Sequence, residues 1–214
     1  MTGELLEILR AHYTLETLDA GEFSTLKANG MTFTVQAYHA KGLGHVSVMH
    51  AKGFFGLMKM DTLMITPTAR DLPLYSYDRI YAMGNDTLIV ELYDTQCAPC
   101  DLGALDTVKK RFAHLPERDP GTHWYDDIKL PQSISKKGKK QITPELDAMA
   151  VTHLNAYLQA CTKNEFDPKT KRERSAAYVN GLLERGGPST DVFKKALGEE
   201  STARLFRDLL FGIS

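Results

Sequence analysis

The sequence predicts an α+β fold, a mainly antiparallel sheet followed by helices, and three observations predict it. Apolar and polar residues alternate through much of the stretch from 31 to 95. Glycine, proline and Asn-Gly breaks cut that stretch into short pieces, and beyond Asp94 the apolar spacing becomes helical. Alternation marks half-buried strands, short breaks mark antiparallel connections, and spacings of three and four mark helix faces.

Taken in order, Leu5 to Leu18 sets Leu5, Leu6, Leu9, Tyr13 and Leu18 at near-helical intervals, which predicts an N-terminal helix within residues 1–20. Gly21 and the turn-forming Asn29-Gly30 then interrupt the chain. Strands are expected in Met31–Tyr38, His45–His50, Met58–Ile65, Leu74–Ala82 and Thr87–Tyr93, a meander of about five or six strands over residues 31–95. Residues 101–214 read as mainly helical. Their segments are Leu102–Leu115, a helix opening at Thr143-Pro144-Glu145, Ser175–Leu183, Thr190–Leu197 and Thr202–Phe211. Between them, 116–141 is loop-rich and carries Trp124 with Lys136, Lys137, Lys139 and Lys140. There is no internal repeat, so one domain over 1–214 is expected, with helices covering the sheet faces.

Composition narrows the function classes. With 43% apolar, 9% aromatic and 25% charged residues, the chain is neither disordered, collagen-like nor a disulfide framework. Its 26 basic and 27 acidic side chains leave no excess positive charge for counterion release, so nucleic acid is not an expected partner. No apolar run approaches the roughly 18 residues of a membrane span, and the acidic, amphipathic start Met1–Glu7 is unlike a signal peptide. No membrane partner is expected, and the expected location is cytoplasmic.

Cys97-Ala98-Pro99-Cys100 is a lone CxxC, and Cys161 stands apart. The pair falls where a redox dithiol would, between a strand and a helix start, yet a structural or incidental role is the default for one CxxC. No second ligand pair completes a zinc site, and four thiolates for an iron–sulfur cluster are lacking. Phosphate-binding glycine loops, HExxH and GxSxG are also missing. Composition and short motifs therefore name no chemistry.

A series of segments in order does. Leu72-Pro73-Leu74-Tyr75-Ser76-Tyr77-Asp78 resembles the Leu-Pro-apolar-aromatic-Gly-x-Asp segment of the ferredoxin-dependent bilin reductases. Leu92-Tyr93-Asp94-Thr95 follows at a similar distance, then Trp124, a short strand-like stretch, a basic residue and a Thr-x-Glu helix start. The C-terminal run Asp191–Glu200, continuing through Arg204 to Leu209-Leu210-Phe211-Gly212, is similar to the family's closing signature. The resemblance covers residue 31 to the end. It implies a three-layer α/β/α sandwich, with a linear tetrapyrrole such as biliverdin between the sheet and the C-terminal helices. It also implies no tightly bound cofactor and no metal: an external ferredoxin supplies single electrons and the protein supplies protons.

The resemblance assigns the catalytic aspartate to Asp78. Strand parity puts Asp78 on one face with Leu74, Ser76, Ile80 and Ala82, an otherwise apolar or small-residue surface. A carboxyl buried there would have a raised pKa and could act as an acid near neutrality; the plainer alternative is a strand-edge aspartate held by backbone amides or Arg79. Asp61, seventeen residues earlier, stands where family members carry histidine or asparagine. If it faced the same ligand it would titrate together with Asp78; a solvated strand aspartate is the equal alternative.

Lys136 or Lys137 falls near the family's arginine and is expected to meet a propionate. With Lys139 and Lys140 the cluster also suits docking of an acidic ferredoxin, although a solvated loop is its default reading. Ser76, Met49 and His50 are the further substrate-contact candidates. His45 and His50 should face opposite sides of their strand. Met49, Met58, Met60 and Met64 read first as sheet core with a soft pocket lining as the second choice, and the Tyr75, Tyr77, Tyr81 stripe reads first as core packing rather than a stacking platform.

One position departs from the pattern: Gly187 stands where family members often carry a second aspartate. That departure motivates an alternative, a tetrapyrrole-binding protein without catalysis. A reductase of another linear tetrapyrrole, such as a chlorophyll catabolite, is a further one.

Overall fold

The computed structural model describes residues 1–160 and 165–214; Cys161 lies outside the described residues. Eight strands form one sheet: β1 (Leu15–Leu18), β2 (Thr25–Ala28), β3 (Met31–Ala40), β4 (Gly44–Gly53), β5 (Met58–Pro67), β6 (Leu74–Ala82), β7 (Asn85–Tyr93) and β8 (Ile134–Lys139). Their order is β1-β3-β4-β5-β6-β7-β8, with β2 also paired to β3. Every pairing is antiparallel, as short hairpin connections require.

Helices cover both faces, because alternation along the central strands presents an apolar surface on each. Against the first face, α1 (Thr2–His12), α2 (Gly103–Arg111) and α3 (Thr143–Gln159) bury Val46, Val48, Leu63, Ile65, Tyr75 and Tyr77. Against the second, α4 (Pro168–Arg185), α5 (Pro188–Leu197), α6 (Glu199–Arg204) and a π turn (Leu205–Leu210) bury Phe33, Val35, Met49, Met64, Leu74 and Tyr93. The expected three-layer α+β sandwich is the observed fold.

The differences lie at the edges. The N-terminal helix stops at His12 rather than running to Leu18, and Tyr13 turns extended. Residues 15–18 pair with Ala37–Ala40 instead, so edge pairing outweighs a loose helical spacing. Strand β2 was not expected, although the Asn29-Gly30 turn that joins it to β3 was: both residues have positive φ, 48° and 71°. Strand β8 lies inside the stretch expected to be loop-rich. Helix α4 starts seven residues before Ser175, capped by the Asp167 carboxylate, which accepts from the amides of Lys169 and Thr170.

Candidate functional site

The β5–β6 register decides which side chains share a face. Thr62 lies opposite Asp78, and Asp61 opposite Arg79. Directly opposed residues point the same way and neighbours point oppositely. Asp78 therefore shares the second face with Thr62, Ser76 and Ile80, while Asp61 shares the first face with Arg79. The structure does not bring the two aspartates together.

Asp78 lines a cavity between the sheet and the C-terminal helices, its floor formed by Met60, Met64, Ser76, Ile80, Ile89 and Glu91. The cavity volume is about 220 Å³, and all the empty space in the cleft, open solvent included, is about 930 Å³. Tyr93, Tyr125, Tyr178, Phe206 and Phe211 supply aromatic walls. Tyr178 stacks on Tyr93 at 4.1 Å, and Tyr125 meets Tyr93 edge-on at 5.6 Å.

Burial raises the Asp78 carboxyl from its ordinary value to about 6. A hydrogen bond from Thr62, 2.5 Å from Oδ1, opposes that rise, and the nearby Glu91 charge adds to it. Glu91 itself accepts from the Tyr93 hydroxyl at 2.5 Å and lies 3.7 Å from the Lys129 ammonium. Two carboxyls thus face one apolar slot, and the one without a cation is Asp78. Arg79 is not its partner: it is fully buried on the first face, paired with Asp86 at 2.5 Å and Asp147 at 3.0 Å.

The rim is built by the chain between α2 and β8. Trp124 packs on Gly181 of α4, where a Cβ would meet the indole at 2.4 Å, so only glycine fits. The indole donates to the Gly186 carbonyl at 2.9 Å, and Arg185 lies over the ring at 4.6 Å. This anchor sets His123, stacked on Tyr125 at 4.8 Å, and Arg118 along the cavity. Arg118 reaches Ser135 of β8 at 3.3 Å and is the cation that lines the slot. On the far side the first turn of α5, Gly187 to Thr190, closes the wall. Phe206 and Phe211 are joined through the π turn by a 3.0 Å backbone bond.

The remaining sequence candidates fall elsewhere. Ser76 lines the cavity. Met49 faces the same side but is buried in the core beyond it; Met60 and Met64 take the lining position. His50 is on the first face, 2.8 Å from Asp61 and 3.4 Å from Thr2, so that pair lies behind the sheet from the cavity. His45 points the other way, to the Leu209 carbonyl at 2.7 Å, and burial lowers its pKa. Lys136 is on strand β8 facing the first side, where it is buried and bound to the Leu115 carbonyl and Glu117. Lys137 points the other way but is solvent-exposed and lines no part of the cavity. The sides taken by His50, His45, Lys136 and Lys137 follow from strand parity once the register is known.

Sequence reasoning missed Glu91, Arg118, His123, Tyr125 and Tyr178. Glu91 carried a signal, since it alternates with Tyr93 on a strand already identified; the others sit on a loop and a helix brought together only by packing.

A larger cleft, about 600 Å³, lies beside the Cys97–Gly103 loop and Arg174, with no aromatic side chain in its lining. No disulfide joins Cys97 to Cys100. Burial and the Asp71 charge push the Cys97 thiol up, the reverse of what activates a thiolate.

No protein-family model and no curated protein matches the sequence. Among solved structures, phytochromobilin synthase from tomato, as the selenomethionine protein in complex with biliverdin, aligns with a TM-score of 0.74. Identity is 14%, and the alignment covers 100% of this chain and 83% of that chain. The chain therefore shares the fold of that synthase.

Proposed function

We propose that this protein reduces a linear tetrapyrrole of the biliverdin type, taking electrons one at a time from an external ferredoxin and protons from Asp78. The observation that carries the reading is Asp78 itself, a carboxyl held near pKa 6 beside an aromatic slot, on a fold shared with a biliverdin-binding synthase. A carboxyl with that pKa is partly protonated near neutral pH and can give its proton to a bound pyrrole system.

The chain's own residues have distinct tasks in this reading. Tyr93, Tyr178, Phe206 and Phe211 hold the flat ligand and exclude water. Arg118 meets a propionate. Thr62 occupies one carboxylate oxygen of Asp78 and leaves the other for the ligand. Reduction of one double bond takes two electrons and two protons; Asp78 gives the first proton, is reprotonated, and gives the second.

A second reading is binding without turnover. It is favoured by Gly187, which lines the cavity where the resemblance expects another acid but has no side chain. The test is anaerobic incubation of bilin-loaded protein with reduced ferredoxin. Bleaching or shift of the bilin band with wild type, and stalled or redirected reduction with Asp78→Asn, supports the reductase. Binding that never proceeds to reduction with any low-potential donor supports the second reading, and full turnover by Asp78→Asn removes that residue as donor.

A further inference from the structure

Two hairpin tips at one end of the sheet expose side chains that folding normally hides. The β4–β5 turn projects Phe54, Phe55 and Leu57, with Phe55 fully exposed and Leu57 at 73% exposure. The β6–β7 turn adds Met83 at 89% exposure, and the Met58–Ala82 rung joins the two tips. Both phenylalanines and Met83 have left-handed backbones, φ 51°, 53° and 51°, which cost bulky residues conformational energy. Four apolar side chains thus share a tip left uncovered among the described residues.

The charges nearest that tip are lysines, and the nearest acid on their face, Asp61 two residues along β5 from Lys59, is already held by His50. Lys52 and Lys59 lie directly opposite each other on β4 and β5, a like-charge cross-strand pair that destabilises the hairpin. Lys139 pairs in register with Asn85 beside Met83, and Lys140 follows it. All four lysines are exposed, and none is in an ion pair among the described residues. An anionic counter-surface would relieve the Lys52–Lys59 repulsion and cover the apolar residues together.

We infer that these tips are a membrane-surface site, inserting Phe54, Phe55, Leu57 and Met83 among anionic lipid headgroups while the lysines stay at the phosphate level. Among the described residues no helix is long and apolar enough to cross a membrane, so the contact proposed is peripheral. Shape favours lipid over a protein partner. A specific protein interface takes roughly 20–30 residues a side, whereas the exposed patch is two narrow turns. Lysine stems can lie along apolar surface with their ammonium groups in the interface. On the second face Met58 and Ala82 are followed by Met60 and Ile80, which line the cavity. The tips therefore adjoin one end of the slot, although the inference does not depend on what the slot binds.

The test is sedimentation of the full-length chain with vesicles of phosphatidylcholine alone or containing phosphatidylserine. Binding to the anionic vesicles, weakened by salt, is expected. Phe54→Asn with Phe55→Asn should lower the partition coefficient at least about tenfold per residue, since each loses a buried aromatic ring. Asparagine tolerates the left-handed backbone, so that variant should keep its fold by circular dichroism. Lys52→Gln with Lys59→Gln should weaken binding to the anionic vesicles and reduce its salt dependence. Failure of wild type to bind anionic vesicles overturns the inference, as does equal binding by the Phe double variant. Loss of binding to an acidic iron–sulfur protein, without any lipid binding, would assign the tips to a protein partner instead.

Discussion

Thr62 donates a hydrogen bond to Asp78 at 2.5 Å across one rung of the β5–β6 ladder. That bond favours the ionised carboxylate, while burial and Glu91 oppose ionisation, and burial is the larger effect. The balance sets an acid near 6 in a slot walled by aromatic rings, and it can be shifted by single substitutions.

Asp78→Asn should stabilise the fold, and more so at higher pH. The carboxyl rises from 3.8 to about 6 on folding, so the folded state binds more protons than the unfolded between those values. Stability therefore falls as pH rises through that window, and above it the ionised group costs up to about 3 kcal/mol. Urea titrations at pH 5 and pH 8 should show Asp78→Asn gaining about 1–2 kcal/mol more at the higher pH. An equal effect at both pH values would mean that Asp78 titrates normally.

Thr62→Val keeps the shape of the side chain and removes the donor. Hydrogen bonds to charged groups contribute about 1.5–3 kcal/mol, so the carboxyl should move upward by roughly one pH unit. In bilin-bound protein the pH at which the absorption band changes should move up with it. No movement would separate that transition from Asp78.

Asp61 gives a control on the opposite face. Its hydrogen bond to His50 lowers its pKa, so its contribution to stability is present above 3.8 and is lost as pH falls through the lower folded value. The pair is partly exposed, and its net value is about 0.5–1 kcal/mol. Asp61→Asn should lower the melting temperature slightly and leave the bilin spectrum unaltered. A spectral change as large as that of Asp78→Asn would place Asp61 at the ligand.

The contrast between these two aspartates shows how far the sequence reaches. Strands β3 to β7 were legible because each presents a two-residue alternation long enough to outweigh local noise, and Asp78 was legible from parity on β6 together with its Leu-Pro segment. The face of Asp61 was not, because it depends on how β5 and β6 slide against each other, and a shift of one residue reverses every side chain. Lys136 was misplaced for the same reason: β8 is a six-residue edge strand within polar sequence. The rim of Arg118, His123 and Tyr125 comes from a loop anchored by Trp124 against Gly181, a contact between residues 57 positions apart that no local pattern encodes.

Gly187→Asp tests the departure from the family pattern. Gly187 is extended (φ 177°), so an aspartate meets no backbone penalty, although its Cβ would come to 3.3 Å from Leu182 and 3.4 Å from Thr190. As the N-cap residue of α5 it should add a few tenths of a kcal/mol. Bilin binding should persist, and product analysis by chromatography should show altered turnover or product. Unchanged products and rate would mean that a carboxyl there does not reach the ligand.

The most direct measurement is an absorption titration of biliverdin with wild-type protein and Asp78→Asn across pH 5 to 8. A saturable one-to-one spectral shift is expected, with a pH-dependent band in wild type that the variant lacks. No shift at stoichiometric protein, or the same pH response in both proteins, would contradict the assignment of this slot and its aspartate.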